Sequence, residues 1–393
     1  MPIGFGTFAV IVLAGLGGPL LGILGHRFVP IVVGEILAGI IVGPQLLGAV
    51  APTGAVISTL GEIGFAMLML TVGMHLPLRD RRLGESLREG SLLAGAVCVL
   101  AVPGGLLAAS VAGGGHAAVY AVVLASGSAA VLLPAIEEAG LSGPLVMAVM
   151  AQVTIGDVLT ILSVPIVLQP GRATHAVLGG LLVAAGVLAL LGGARLLAGR
   201  AWVHRVRRLS KQRRWALDLR VSLLVLFLLA WLAQKGGTSI LIAGFGAGVM
   251  VALVGGPKRL STQVRGIADG FFIPLYFVVL GARLDLGGVL SHPSLIALVA
   301  VLSALNVAIH LIAGALLRLP VAGALAATAQ LGVPAAVASL GLSEHLLSTL
   351  TATAIVVSAL VSLAVCTVGV ERLARPGPAS PPPAPPQPAA TRA

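Results

Sequence analysis

The sequence predicts an all-α polytopic membrane protein, on three observations. The 393 residues are 58% hydrophobic and only 9% charged, against about 25% charged in a soluble domain. Mean hydropathy is +1.08. Uncharged apolar runs recur along the chain, each near the roughly 20 residues that a bilayer core requires. The same composition excludes other classes. A net charge of +11 suggests nucleic acid at first sight, but aromatics are only 4% and offer no stacking platform. Cys98 and Cys366 both lie within apolar runs, so neither a disulfide nor a Cys/His metal cluster is expected. No nucleophile elbow or phosphate loop speaks for an enzyme or a bound cofactor.

About thirteen spans follow in order. The first, 5–25, lacks a basic leader and a cleavage signal and is read as retained. Spans 29–48 and 54–76 carry Glu35 near one end and Glu62 several residues inside; Glu35 is read as packing or interfacial, Glu62 as lining an outer funnel. Spans 91–111, 116–136, 145–168 and 174–198 come next, then a basic loop at about 199–217. The second half reads 218–235, 237–254, 268–286, 293–317, 320–342 and 346–370. Arg283 and Asp285 at the outer end of the tenth span are read as structural, and Glu137 and Glu138 after the fifth as a solvated mouth. Residues 1–372 are expected to form the membrane domain and 373–393 a Pro/Ala-rich disordered tail, with no soluble nucleotide-binding domain expected after the membrane part.

Lys and Arg orient these spans. Arg27, Arg79, Arg81, Arg82 and Arg88 fall on one side. So do Arg195, Arg200, Arg205, Arg207, Arg208, Lys211, Arg213, Arg214 and Arg220. Lys258, Arg259, Arg265, Arg318, Arg372, Arg375 and Arg392 join them, making 21 of 24, against Arg172, Lys235 and Arg283 opposite. The N-terminus is therefore expected outside and the C-terminus in the cytoplasm. The run 195–220 reads as a topology anchor at anionic lipid rather than a nucleic-acid site.

An internal repeat is also legible. LGEIGFAMLMLTVGMHLPL (60–78) resembles IADGFFIPLYFVVLGARLDL (267–286), matching Gly73, Leu76 and Leu78 to Gly281, Leu284 and Leu286. GEILAGIIVG (34–43) resembles SILIAGFGAG (239–248). The offset of seven spans is odd, so the copies are inverted, a mark of many secondary transporters. It also pairs spans 5 and 12, and both look interruptible. Span 5 holds Ser126, Gly127, Ser128 and Pro134; span 12 holds Gln330, Gly332 and Pro334. Helices broken at mid-depth expose backbone groups that need a cavity or an ion.

Next to the first break, one carboxylate stands in the middle of span 6: Asp157. A lone carboxylate at mid-membrane costs about 2.5–3.5 kcal/mol on insertion scales. It persists where it is neutralised, by a proton or by a cation. Asp157 is the candidate site for both, a monovalent cation being the metal concerned. Thr154, Thr160, Gln152 and Ser126 or Ser128 are candidate oxygen ligands for a hard cation.

VVGEILAGIIVGPQLLG, LGEIGFAMLMLTVGMHLPLR, ASGSAAVLLPAIEEAGLSGPLV, IGDVLTIL and FFIPLYFVVLGARLDL resemble, over about residues 5–372, the monovalent cation:proton antiporters of the bacterial branch that includes NapA-type and Kef-type exchangers. The resemblance implies a NapA/NhaA-like fold with two crossed, broken helices, and a homodimer in a bacterial plasma membrane. It also implies elevator-like alternating access that exchanges Na⁺ or K⁺ for H⁺. The family's aspartate matches Asp157. Its preceding Asp, Asn or Gln is Gly156 here, its span-11 Lys matches His310 with Asn306 one turn earlier, and its span-12 basic residue is Gln330. His310 is a candidate titrating partner of Asp157, suited to a switch near neutral pH. Two other readings stand beside exchange: proton-coupled export of an organic solute, suggested by the space at Gly156, and a non-transporting membrane sensor.

Overall fold

A computed structural model describes residues 4–24, 30–74, 81–198, 200–213, 215–254 and 258–375. Arg27, Arg79, Arg214, Arg392, the repeat's Leu76 and Leu78, and the tail from 376 lie outside the described residues. The chain begins with α1 (Phe5–Gly15), α2 (Gly17–Leu24), α3 (Ile31–Val42), α4 (Ala55–Met74) and α5 (Arg81–Val111). It continues through α6 (Ala117–Ala125), α7 (Ala129–Glu138), α8 (Pro144–Leu168), α9 (Ala173–Ala198) and α10 (Ala201–Gln212). Then come α11 (Leu217–Lys235), α12 (Ile240–Val254), α13 (Lys258–Ile267), a π-helical turn Ala268–Phe272 and α14 (Ile273–Arg283). The last elements are α15 (Leu286–Ser291), α16 (Pro293–Leu316), α17 (Val321–Ala326), α18 (Gly332–Ser343) and α19 (Thr349–Ala374). Among the described residues, nine stretches are long and apolar enough to cross a membrane, and four shorter apolar ones accompany them.

Local sequence accounts for many of these boundaries. Pro144 and Pro293 open α8 and α16 at the position where a missing N–H costs nothing. Ser348 caps α19 through Thr351 N–H, and Asp285 caps α15 through Gly288 N–H at 2.7 Å. One expected span is divided, and two basic connecting segments prove helical. The first span is two helices, divided at Leu16. The basic segment 199–217 is not a loop through its middle: α10 occupies it, with Trp202, Val203, Val206 and Leu209 at helical spacing among the arginines. The segment before span 10 likewise forms α13. In both, amphipathic periodicity decides the structure where overall polarity suggested a loop.

The helices gather into two bundles. In the first, α3 packs on α14, α4 on α12, and α1, α2, α9 and α11 surround them. In the second, α5 packs on α6, α8 and α16, and α19 on α16, α17 and α18. The bundles meet where α8 touches α9 and α12, and where α4 touches α7. Glycines bring the first bundle's backbones together. A side chain at Gly39 would strike the Val278 carbonyl, and one at Gly281 the Ile36 carbonyl. On the other pair, a side chain at Gly73 would strike the Phe245 carbonyl, and one at Gly248 the Leu70 carbonyl. The seam α3–α14 thus has a counterpart in α12–α4, with small residues permitting close approach.

Candidate functional site

The long helix α8 runs through the second bundle beside α5, α6, α7 and α18, with Asp157 buried at its middle. The first break lies against it. Helix α6 stops at Ala125, Ser126 and Ser128 are extended, and α7 starts at Ala129. Glycines make this approach possible: a Cβ on Gly127 would lie 2.8 Å from the Val153 carbonyl oxygen, and one on Gly156 3.3 Å from that of Ala125. The Ala129 backbone N–H, at the start of α7, lies near the Asp157 carboxylate. At the second break α17 stops at Ala326 and α18 starts at Gly332, whose Cβ position is 3.9 Å from Asp157 Oδ1. Two helix N-termini therefore face one carboxylate. Each carries about half a positive charge from its aligned peptide dipoles, so the buried acid sits in a favourable field, with no cationic side chain bonded to it among the described residues.

The interruptions fall at the Ser-Gly-Ser and Gln330 stretches, not at the prolines. Pro134 lies inside α7, and Pro334 inside the first turn of α18, where a helix tolerates it. Gly127 and Gln330 belong to the breaks, and Gly332 begins a half-helix.

Among the described residues, three buried acceptors on α8 have no hydrogen-bond partner: Asp157 Oδ1, Thr154 Oγ1 and Gln152 Oε1. Buried polar atoms are nearly always paired, so three on one helix point to something the site takes up. The other candidates differ. Ser126 Oγ donates to Val123 O at 2.7 Å and Thr160 Oγ1 to Gly156 O at 2.6 Å, each bonding its own helix. Ser128 precedes α7 without a side-chain capping bond.

The second break is closed by side chains. Gln330 Nε2 donates to Asn306 Oδ1 at 2.9 Å, and Asn306 Nδ2 donates to Thr328 O at 3.0 Å. Gln330 N–H donates to Ser362 Oγ at 3.3 Å. His310 Nδ1 lies 2.9 Å from Asn306 O, one turn back on its own helix. A carbonyl only accepts, so this nitrogen carries the proton. The imidazole is tied to α16 rather than to Asp157. It lines a void of about 10 Å³ with Gln152, Ser126, Gly127 and Gly156.

Glu62 is exposed at a polar cavity of about 360 Å³, lined also by Phe65, Gln169, Arg172, Gln234 and Glu344. Pro165, which also lines it, is eight residues from Asp157, or roughly 12 Å along a helix. Arg283 Nη2 reaches Pro52 O at 3.4 Å and Ser58 Oγ at 3.3 Å. Glu137 and Glu138 are exposed at the end of α7. Glu35 is buried, as the packing alternative implied and the interfacial one did not, and its Oε2 is unpaired among the described residues. Sequence reasoning did not single out Thr328, Ser362 or Tyr276. The first two stand out only as hydroxyls within apolar runs, a weak signal because such groups often bond their own helix.

The profile of the family "sodium/hydrogen exchanger, transmembrane" matches residues 8–375. YjbQ of Bacillus subtilis is 25% identical over 67% of this chain and 45% of its own length. The Na(+)/H(+)-K(+) antiporter GerN of Bacillus cereus is 23% identical over 72% of this chain and 73% of its own. The glutathione-regulated potassium-efflux system protein KefC of Klebsiella pneumoniae is 27% identical over 67% of this chain and 42% of its own. The chain thus spans less than half the length of YjbQ and KefC. In fold it is similar to the sodium proton antiporter MjNhaP1 of Methanocaldococcus jannaschii, with a TM-score of 0.63 at 16% identity over 94% of this chain and 97% of that one. With the profile match running nearly end to end over a helical, multi-pass membrane architecture, the chain belongs to the sodium/hydrogen exchanger family.

Proposed function

We propose that this chain exchanges a monovalent cation, Na⁺ or K⁺, for H⁺ by alternating access, with Asp157 as the shared site. The observation that carries the reading is the unpartnered Asp157 Oδ1, buried where α7 and α18 both begin. A carboxylate there is neutralised by a proton or by a cation, and each must leave before the other enters. Thr154 Oγ1, one turn earlier on α8, is the first candidate to share the cation. Gln152 lines the neighbouring void, which has room for about one water-sized body and none for an organic solute. With one carboxylate the simplest cycle is one cation for one proton, without net charge. The names of GerN and KefC favour the same pair of cations.

The same reading includes thirteen crossings, inverted repeats and a homodimer in a bacterial plasma membrane, with the N-terminus outside. Support for the repeats comes from the reciprocal glycine seams of α3–α14 and α12–α4. Purified protein in proteoliposomes carrying a pH dye tests the activity. NaCl or KCl pulses are expected to drive proton flux in the wild type and none in Asp157→Asn. Full flux in that variant would refute the assignment of the site.

A further inference from the structure

Between the polar funnel and Asp157 stands a seal contributed by the first bundle. Glu62, Phe65 and Met69 lie at positions i, i+3 and i+7 of α4, on one face that descends from the funnel. Phe65 lines the cavity and stacks on Tyr276 of α14, with ring centroids 5.2 Å apart and planes at 25°. Met69 is fully buried, and its Cε lies 3.7 Å from the Cβ position of Gly332, beside Asp157. Tyr276 has a second attachment. Its hydroxyl donates to the Ala335 carbonyl of α18 at 3.1 Å, and Ser339, one turn later on α18, lines the same small pocket as Tyr276. Ala335 is three residues from the start of the half-helix that faces Asp157. One buried side chain of the first bundle is thus tied to the second bundle's broken helix, on the path from the funnel to the carboxylate.

We infer that Tyr276 is a positioning residue of the exchange cycle: its hydroxyl holds α18 against α14, with the Phe65–Met69 seal closed over Asp157. The inference rests on the exchange reading above. For Asp157 to reach the funnel, α18 must part from α14, and this bond must break. A buried neutral hydrogen bond is weak enough to break in each cycle, yet strong enough to change an opening equilibrium by roughly three- to tenfold. The ion's own ligands are not altered by its loss.

Tyr276→Phe keeps the ring and its stacking and removes only the oxygen; Ser339→Ala removes a polar group that lines the same pocket as that oxygen. Both are compared with wild type and Asp157→Asn after reconstitution in vesicles, using Na⁺ and K⁺ pulses, and by hydrogen–deuterium exchange of the peptide 332–339. Tyr276→Phe is expected to raise exchange of that peptide and transport turnover each by about threefold or more, with the cation KM unchanged. Ser339→Ala is expected to move both in the same direction by less. Unchanged peptide exchange, unchanged or lowered turnover, or a change confined to KM would overturn the inference. Equal flux in wild type and Asp157→Asn would instead remove the exchange reading, a result separable from the behaviour of Tyr276.

Discussion

At the break between α6 and α7, the neighbouring helix presents three buried acceptors without partners. At the break between α17 and α18, Gln330, Asn306, Thr328 and Ser362 bond one another and the freed backbone. Both interruptions lie at mid-helix in similar Gly- and Pro-bearing stretches. The difference teaches that a broken membrane helix has two chemically distinct uses. One break lies beside unpaired acceptors, and the other is closed by amides and hydroxyls so that it holds its shape. The presence of Gln330 where the resemblance leads one to expect a basic residue fits the second role. A neutral amide can complete a hydrogen-bond network without adding a buried charge.

The comparison can be broken from either side. The largest effect is expected at the open break: Asp157→Asn reduces cation-driven proton flux to that of empty vesicles while leaving the unfolding temperature in detergent near wild type. If flux persists, the open break is not the site. Next comes Asn306→Ala, which strands Gln330 Nε2 and the Thr328 carbonyl. A loss of about 1–3 kcal/mol is expected, the usual cost of an unsatisfied buried group, read as a lower unfolding midpoint with the cation KM nearly unchanged. A stable variant with a raised KM would assign ligand chemistry to the closed break. Thr154→Val removes one of the unpaired acceptors without changing shape. It should raise the cation KM severalfold and leave stability intact, whereas the control Thr160→Val, whose hydroxyl already bonds Gly156, should leave KM alone. The smallest effect is expected at Glu62, exposed in the funnel. Glu62→Gln should slow cation capture less than twofold at low salt, and the difference should vanish near 1 M salt, where the screening length is about 3 Å.

Much of this arrangement was legible in the chain. A carboxylate within an apolar run must face a protected interior, so Asp157 was visible from hydropathy alone. The Ser-Gly-Ser stretch was visible from its low helix propensity. What was not legible depends on geometry rather than residue type. Thr154 and Thr160 are the same residue six positions apart on α8, yet one hydroxyl is unpaired and the other is held by its own backbone. The prolines misled because they mark helix disruption in general, while here the backbone parts several residues upstream of each. Asn306 and Gln330 were both noticed, but their mutual bond joins residues 24 apart and follows from the packing of α16 against the second break. The tie from Tyr276 to Ala335 is longer-range still, across the two bundles.

The glycine seams of the first bundle have a mechanical consequence. Where Gly39 and Gly281, or Gly73 and Gly248, let main chain rest on main chain, axial slippage would drive a neighbouring Cβ into a carbonyl. Such joints have one register. The boundary between the bundles is different: at Met69 and Tyr276 it is made by side chains, which can rotate and re-form contacts elsewhere. The molecule therefore has a stiff frame and a bearing surface, and shear costs least along the bearing.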